Sequence, residues 1–291
     1  MNYALLLAAT AVVAAPTFAS AEISGGSTIG FSQLSSPDFS GELDTTTFDF
    51  ALDYYDAGPI GFGIEAGRTS FDDSVSDDAL WNVDLEAFYR LNEISRLGAY
   101  VGRVSIGNVD LDSYGLIWGY DLGTTSFEAS LGQAETDGDN ITEFSLWSQF
   151  DATNSTRLAA EFATAQNDGD GIYTYALAAQ HGLSDSFALF GNIRYTNFAD
   201  TDTGASEVGV GVSYDLAPLT GLYGALSLEL ARTNLDSGGN DVDLDIVRFG
   251  VSLPFGGSGK AGVPLNSGAS NVASGPRGVT AGLLSSNIGL F

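Results

Sequence analysis

The chain has 291 residues, with 37 Asp and Glu against 10 Lys and Arg, a formal charge of −27, one histidine and no cysteine. So acidic a balance excludes nucleic acid as a partner, because a phosphate-binding surface needs clustered cations. The missing cysteine excludes disulfides, thiol chemistry and Cys-ligated zinc, and nothing in the composition implies a cofactor.

Residues 1–21 read as a secretory signal. Ala4 to Ala15 is an apolar run without charge, followed by Pro16 and the small-residue site Ala19-Ser20-Ala21, which places cleavage before Glu22. Met1-Asn2-Tyr3 holds no Lys or Arg, so the positive end of the signal rests on the α-amino group. The alternative, an N-terminal membrane anchor, suffers because the run is shorter than the ~18–20 apolar residues of a spanning helix. No other segment approaches that length. A membrane protein without such helices must be a closed barrel, since lipid tolerates no unpaired backbone group.

From Ile23 to Phe255 the chain alternates apolar with polar residues in about fourteen short stretches, the period of a strand. The clearest apolar sets are Phe48-Phe50-Leu52-Tyr54, Trp81-Val83-Leu85-Ala87-Tyr89-Leu91, Tyr114-Leu116-Trp118-Tyr120-Leu122 and Phe144-Leu146-Ser148-Phe150. Later ones are Tyr173-Tyr175-Leu177-Ala179, Val208-Val210-Val212-Tyr214-Leu216, Leu226-Leu228-Leu230 and Val247-Phe249-Val251-Leu253-Phe255. None contains a charge, as a lipid-facing side requires. The least regular stretches are Ile23 to Leu34, Leu97 to Ile106 and Thr125 to Gln133. Arg68, Arg103 and Arg232 break the parity and mark either the rim or bulges.

Between the stretches, short turns such as Asn92-Glu93-Ile94-Ser95 alternate with acidic connections such as Asp72 to Ala79, Gly107 to Asp112, Glu135 to Asn140 and Asn234 to Val242. This spacing predicts an all-β, transmembrane, antiparallel up-and-down β-barrel over residues 22–255, of about fourteen strands within a range of twelve to sixteen. Short turns would face the periplasm and acidic loops the exterior. Residues 256–291 form a Gly/Ser-rich tail without acid.

The polar parity supplies the candidate pore-lining residues: Asp49, Asp53, Asp84, Glu86, Glu143, Glu161, Glu207 and Glu229 against Arg90, Arg157, Arg194 and Arg248. The acidic excess favours cations, as carboxylate rings do. The bland alternative is that these charges pair to satisfy a filled interior. Two readings of the tail compete: a disordered periplasmic extension, or a partial plug drawn into the acidic lumen by Lys260 and Arg277. Asp168-Gly169-Asp170-Gly171 and Gly238-Gly239-Asn240-Asp241 suggest loose divalent association, since neither completes a calcium loop. His181 shares the lipid-facing parity near a short turn, so it reads as a rim residue and not as a catalytic base.

The segment Arg248-Phe249-Gly250-Val251-Ser252-Leu253-Pro254-Phe255 resembles the closing-strand signal of bacterial outer-membrane barrels. Arg248, Gly250, Leu253 and Phe255 match its polar, glycine, apolar and aromatic positions, which the family's assembly machinery reads. Pro254 is unusual there, and 36 residues follow where that family usually stops. The resemblance is to a porin-type Gram-negative outer-membrane β-barrel, with the closing strand at 244–255. It implies outer-membrane localisation and contact with lipid and lipopolysaccharide. It also implies use of the barrel-assembly machinery, as a monomer or homotrimer. The expected function is passive diffusion of small hydrophilic solutes or cations, weakly cation-selective and without catalysis. The alternatives are a non-conducting structural or surface-interaction barrel and an exported soluble β-protein.

Overall fold

The computed structural model describes residues 22–38, 42–55, 58–72, 79–136, 139–167, 170–199, 201, 203–220, 223–256 and 263–273. Fourteen strands follow one another: β1 (Glu22–Ser35), β2 (Glu42–Tyr55), β3 (Ile60–Phe71), β4 (Ala79–Arg90), β5 (Ser95–Ile106), β6 (Val109–Asp121) and β7 (Thr125–Thr136). The second half comprises β8 (Asp139–Thr153), β9 (Thr156–Asn167), β10 (Asp170–Gly182), β11 (Phe187–Phe198), β12 (Thr203–Asp215), β13 (Ala225–Ser237) and β14 (Asn240–Gly256). Each pairs antiparallel with its neighbours in sequence, and β14 returns to β1, closing the barrel without a free edge. At that seam Ser24 faces Gly256 and Ser35 faces Asp245 in unbroken register. The Thr28 and Ser252 hydroxyls meet at 2.8 Å, and Phe255 stacks on Phe50 at 5.7 Å.

The strands form where period-two alternation holds, and each parity finds its own solvent. The outward parity carries exposed aliphatic and aromatic side chains, with Leu116 at 62% exposure and Val210 at 61%. A soluble barrel would hide these residues; a membrane barrel offers them to lipid. The inward parity is buried and mostly small, polar or charged at mid-barrel: Thr28, Asp84, Glu86, Glu143, Ser145, Thr174, Asn192, Glu207, Glu229 and Arg248.

Several expected connections are shorter than the acidic segments suggest, because the strands run past them. The β5–β6 connection is Gly107-Asn108, with Asp110 and Asp112 inside β6. The β13–β14 connection is Gly238-Gly239, both at positive φ (59° and 86°), a two-residue turn that suits a hairpin's twist. The closing strand accordingly begins at Asn240 and not at 244. Strands of 12 to 17 residues exceed the ~9–11 that cross a bilayer, so the barrel wall extends beyond the lipid.

Arg68, Arg103 and Arg232 lie in that extension, on outward-facing strand ends toward the acidic connections. Arg103 pairs with Asp112 and Arg232 with Asp245, through bidentate hydrogen bonds of 2.5–2.6 Å and 2.7–2.9 Å. Arg68 lies over the Trp81 ring at 4.8 Å. They therefore sit at the rim and in regular register; the register shift among the paired strands falls between Asp151 and Thr153.

Residues 263–273 do not trail into solvent. They lie within the barrel, ending in a short helix α1 (Gly268–Ala273) that packs on β9, β10 and β11. A single helical turn at Ala217–Thr220 bridges β12 and β13.

Candidate functional site

The bore changes chemistry along its length. At the end of the acidic connections the inward residues are apolar. Leu80, Val104, Leu111 and Ala134 are buried together with Phe71, Ile106 and Ile141 beside them. On the opposite side Leu34, Ala231, Leu244 and Ile246 are buried with Leu43, Leu235 and Val242. The outer face at that level is polar, as the Arg103 and Arg232 pairs and the Gln33–Glu42 hydrogen bond (3.1 Å) show. Inside and outside thus exchange character where the wall leaves the lipid.

Charged side chains dominate the middle. Arg248 donates to Glu229 (3.0 Å) and to Glu207 (3.1 Å), and Asn192 donates its amide hydrogen to Glu207 (2.6 Å). Register builds this group from sequence. Trp147 faces Glu161, Ala176 lies between Glu161 and Arg194, and Arg194 faces Glu207, so four consecutive pairings from β8 to β12 align one row. Glu229 faces Arg248 across β13 and β14.

A second charged group occupies the other wall. Tyr100 donates to Glu143 (3.3 Å), and Arg96 donates to Glu128 (2.5 Å). Tyr100 reaches β8 by lying flat over Gly115 and Gly132, where any Cβ would collide with its ring or hydroxyl. Asp84 and Glu86 are buried on β4, while Asp49 and Asp53 are partly buried on β2. Arg90 and Arg157 are exposed at the short-turn end, Arg157 pairing with Asp151 at 2.8 Å. That end opens into a polar cavity of about 1070 Å³, lined by Thr124, Asp151, Arg157, Gln180, Asp185 and Asp215 among others.

Sequence reasoning placed every candidate on the inward parity but missed Tyr100, Arg96, Glu128 and Asn192. Strands β5 and β7, which carry the first three, alternate glycine or alanine with large residues, which weakens their hydropathy signal. The useful signal was the repeat Gly98-Tyr100-Gly102-Val104, in which small residues leave room for a long side chain to lie along the wall.

The C-terminal segment crosses the middle layer. The Leu265 N–H donates to the Thr28 hydroxyl (3.2 Å), the Asn266 amide to the Phe249 carbonyl (3.4 Å), and the Gly268 N–H to Glu229 (3.4 Å). Trp147 donates its indole N–H to the Val272 carbonyl at 2.8 Å. Ala269 and Val272 are buried against Ala159, Ala176, Ala178 and Phe190. Apolar and backbone contacts therefore hold the segment; Lys260 and Arg277 lie outside the described residues.

No protein-family model matches the chain, and no curated protein matches it in sequence. Solved structures do. The outer membrane channel DcaP of Acinetobacter baumannii superposes with a TM-score of 0.55 at 9% identity, over 83% of this chain and 99% of that one. The anion-selective porin from Comamonas acidovorans gives 0.50 at 12% identity, over 81% and 99%. A monoaromatic hydrocarbon channel, CymD, gives 0.50 at 10% identity, over 81% and 89%. With its closed ring of fourteen strands and lipid-facing outer belt, the chain has the fold of a porin-type outer-membrane β-barrel.

Proposed function

We propose that the chain resides in the bacterial outer membrane as a passive, weakly cation-selective diffusion channel for small hydrophilic solutes. The observation that carries this reading is the inward charge layer of a closed barrel: Asp49, Asp53, Asp84, Glu86, Glu143, Glu161, Glu207 and Glu229 outnumber Arg90, Arg157, Arg194 and Arg248. Carboxylates lining a bore attract cations and repel anions. The pore-lining role of these twelve residues is part of the proposal. So are contact of the outer belt with lipid and lipopolysaccharide, and an assembly role for Arg248, Gly250, Leu253 and Phe255 on β14. A monomer or homotrimer fits the same wall.

The reading assigns no catalysis. His181 lies exposed at the end of β10 and shares a 2.8 Å hydrogen bond with the Thr156 hydroxyl, which lacks the carboxylate orienter of a hydrolytic triad. The test is the reversal potential of the refolded chain under a KCl gradient, before and after Asp84→Asn and Glu86→Gln. A cation-selective potential that falls toward zero in the double variant supports the reading. An anion-selective potential, or one indifferent to the change, contradicts it.

A second reading, a non-conducting barrel, draws on the segment 263–273 within the bore. A folded barrel that passes no current with that segment displaced would establish it.

A further inference from the structure

The inner wall beneath Gly268 is better supplied with acceptors than the C-terminal segment can satisfy. Glu229 Oε1 and Asn192 Oδ1 are buried and have no hydrogen-bond partner, although their residues are only 2% and 4% exposed. Both atoms converge on the space over Gly209. A Cβ there would stand 2.8 Å from Glu229 Oε1 and 2.6 Å from Asn192 Oδ1. The glycine thus lets the two orphaned oxygens close onto its backbone, and Gly268 packs in the same tight way against Glu207 and Asn192.

An orphaned buried acceptor bears its desolvation penalty without compensation, so the pair favours a donor. The surroundings set its charge. Glu161, Glu207 and Glu229 stand with Arg194 and Arg248 in adjoining register positions, leaving one carboxylate in excess. Beside the charges, Ala159, Ala176, Ala178 and Phe190 form a small apolar floor, and Trp147 flanks it.

We propose that this cradle is a solute site for small organic ammonium ions, and that residues 263–273 occupy it in competition with them. With the segment displaced, the ammonium would take the place of Gly268 and donate to Glu229 Oε1 and Asn192 Oδ1, and its alkyl chain would lie on the Ala159–Phe190 floor. In the structure the segment mimics such a solute: the Gly268 N–H addresses Glu229, and Ala269 and Val272 cover the floor. This inference deepens the channel reading and rests on it only for the solute's access to the cradle.

The test uses binding, so its failure is distinct from failure to conduct. The probe is n-butylammonium chloride titrated into the full chain folded in detergent, with Trp81 and Trp118 replaced by Phe so that Trp147 alone reports. Fold is verified by heat-modifiable gel mobility; if that variant does not fold, the unsubstituted chain is titrated. The expected result is a saturable change in Trp147 emission as the probe displaces Val272 from the indole. KCl and sodium butyrate at equal concentration should not reproduce it. Gly268→Leu, which expels the segment sterically, should bind the probe at least about tenfold more tightly, since competition ends. Gly209→Ala, whose Cβ would push both acceptors aside without altering charge, should abolish saturation; if it does not fold, Glu229→Gln takes its place. Absence of a saturable change, an equal response to KCl, or binding unaltered by Gly209→Ala would overturn the proposal. Saturable binding in a barrel that carries no current would uphold the site and contradict the channel.

Discussion

Glu207 and Glu229 share Arg248 as their common partner, and all three are buried. Removing one member of such a group leaves uncompensated charge, at a cost of about 3–5 kcal/mol. Arg248→Leu should therefore lower the unfolding free energy in urea by that amount, followed by gel mobility; an unchanged value would show that water screens the group. Close packing argues similarly at Gly132, where a side chain would collide with the Tyr100 hydroxyl and the Tyr114 carbonyl. Gly132→Val should destabilise the barrel by roughly 1–3 kcal/mol, and Tyr100→Ala in the same chain should recover part of the loss. Recovery would demonstrate that Tyr100 lies along the wall.

Among the elements, β4 and β6 were legible at once, because their outward sets Trp81-Val83-Leu85-Ala87-Tyr89 and Tyr114-Leu116-Trp118-Tyr120 are apolar or aromatic throughout. Strands β5 and β7 were not, since inward Gly98, Gly102 and Gly132 erase the contrast between faces. The three rim arginines were ambiguous for a different reason. Parity gives the face of a residue but not its depth, and only the paired register shows Arg103 and Arg232 on wall that has left the lipid. The apolar lining at the same level was hidden likewise: a sequence cannot say where inside and outside exchange roles. Depth is directly testable. Leu116→Arg, on the outward face of mid-β6, should cost about 2–4 kcal/mol in unfolding from lipid vesicles, whereas Ser105→Arg near the β5–β6 turn should cost about 0–1 kcal/mol. Equal costs would contradict the placement of the lipid belt.

For the whole molecule, the bore reads as a series: an apolar mouth, a charged middle crossed by residues 263–273, and a polar cavity at the short-turn end. Closure, strand number and the charged inner parity were all legible from alternation and connection pattern. The path of the tail was not, because the contacts that hold it use alanine, glycine and backbone groups that carry no pattern. The most direct test of the account is single-channel recording of the refolded full chain and its Gly268→Leu variant in planar bilayers. The account expects discrete conductance steps that are larger in the variant and cation-selective in both. Folded, membrane-inserted barrels that stay silent in both forms would contradict it.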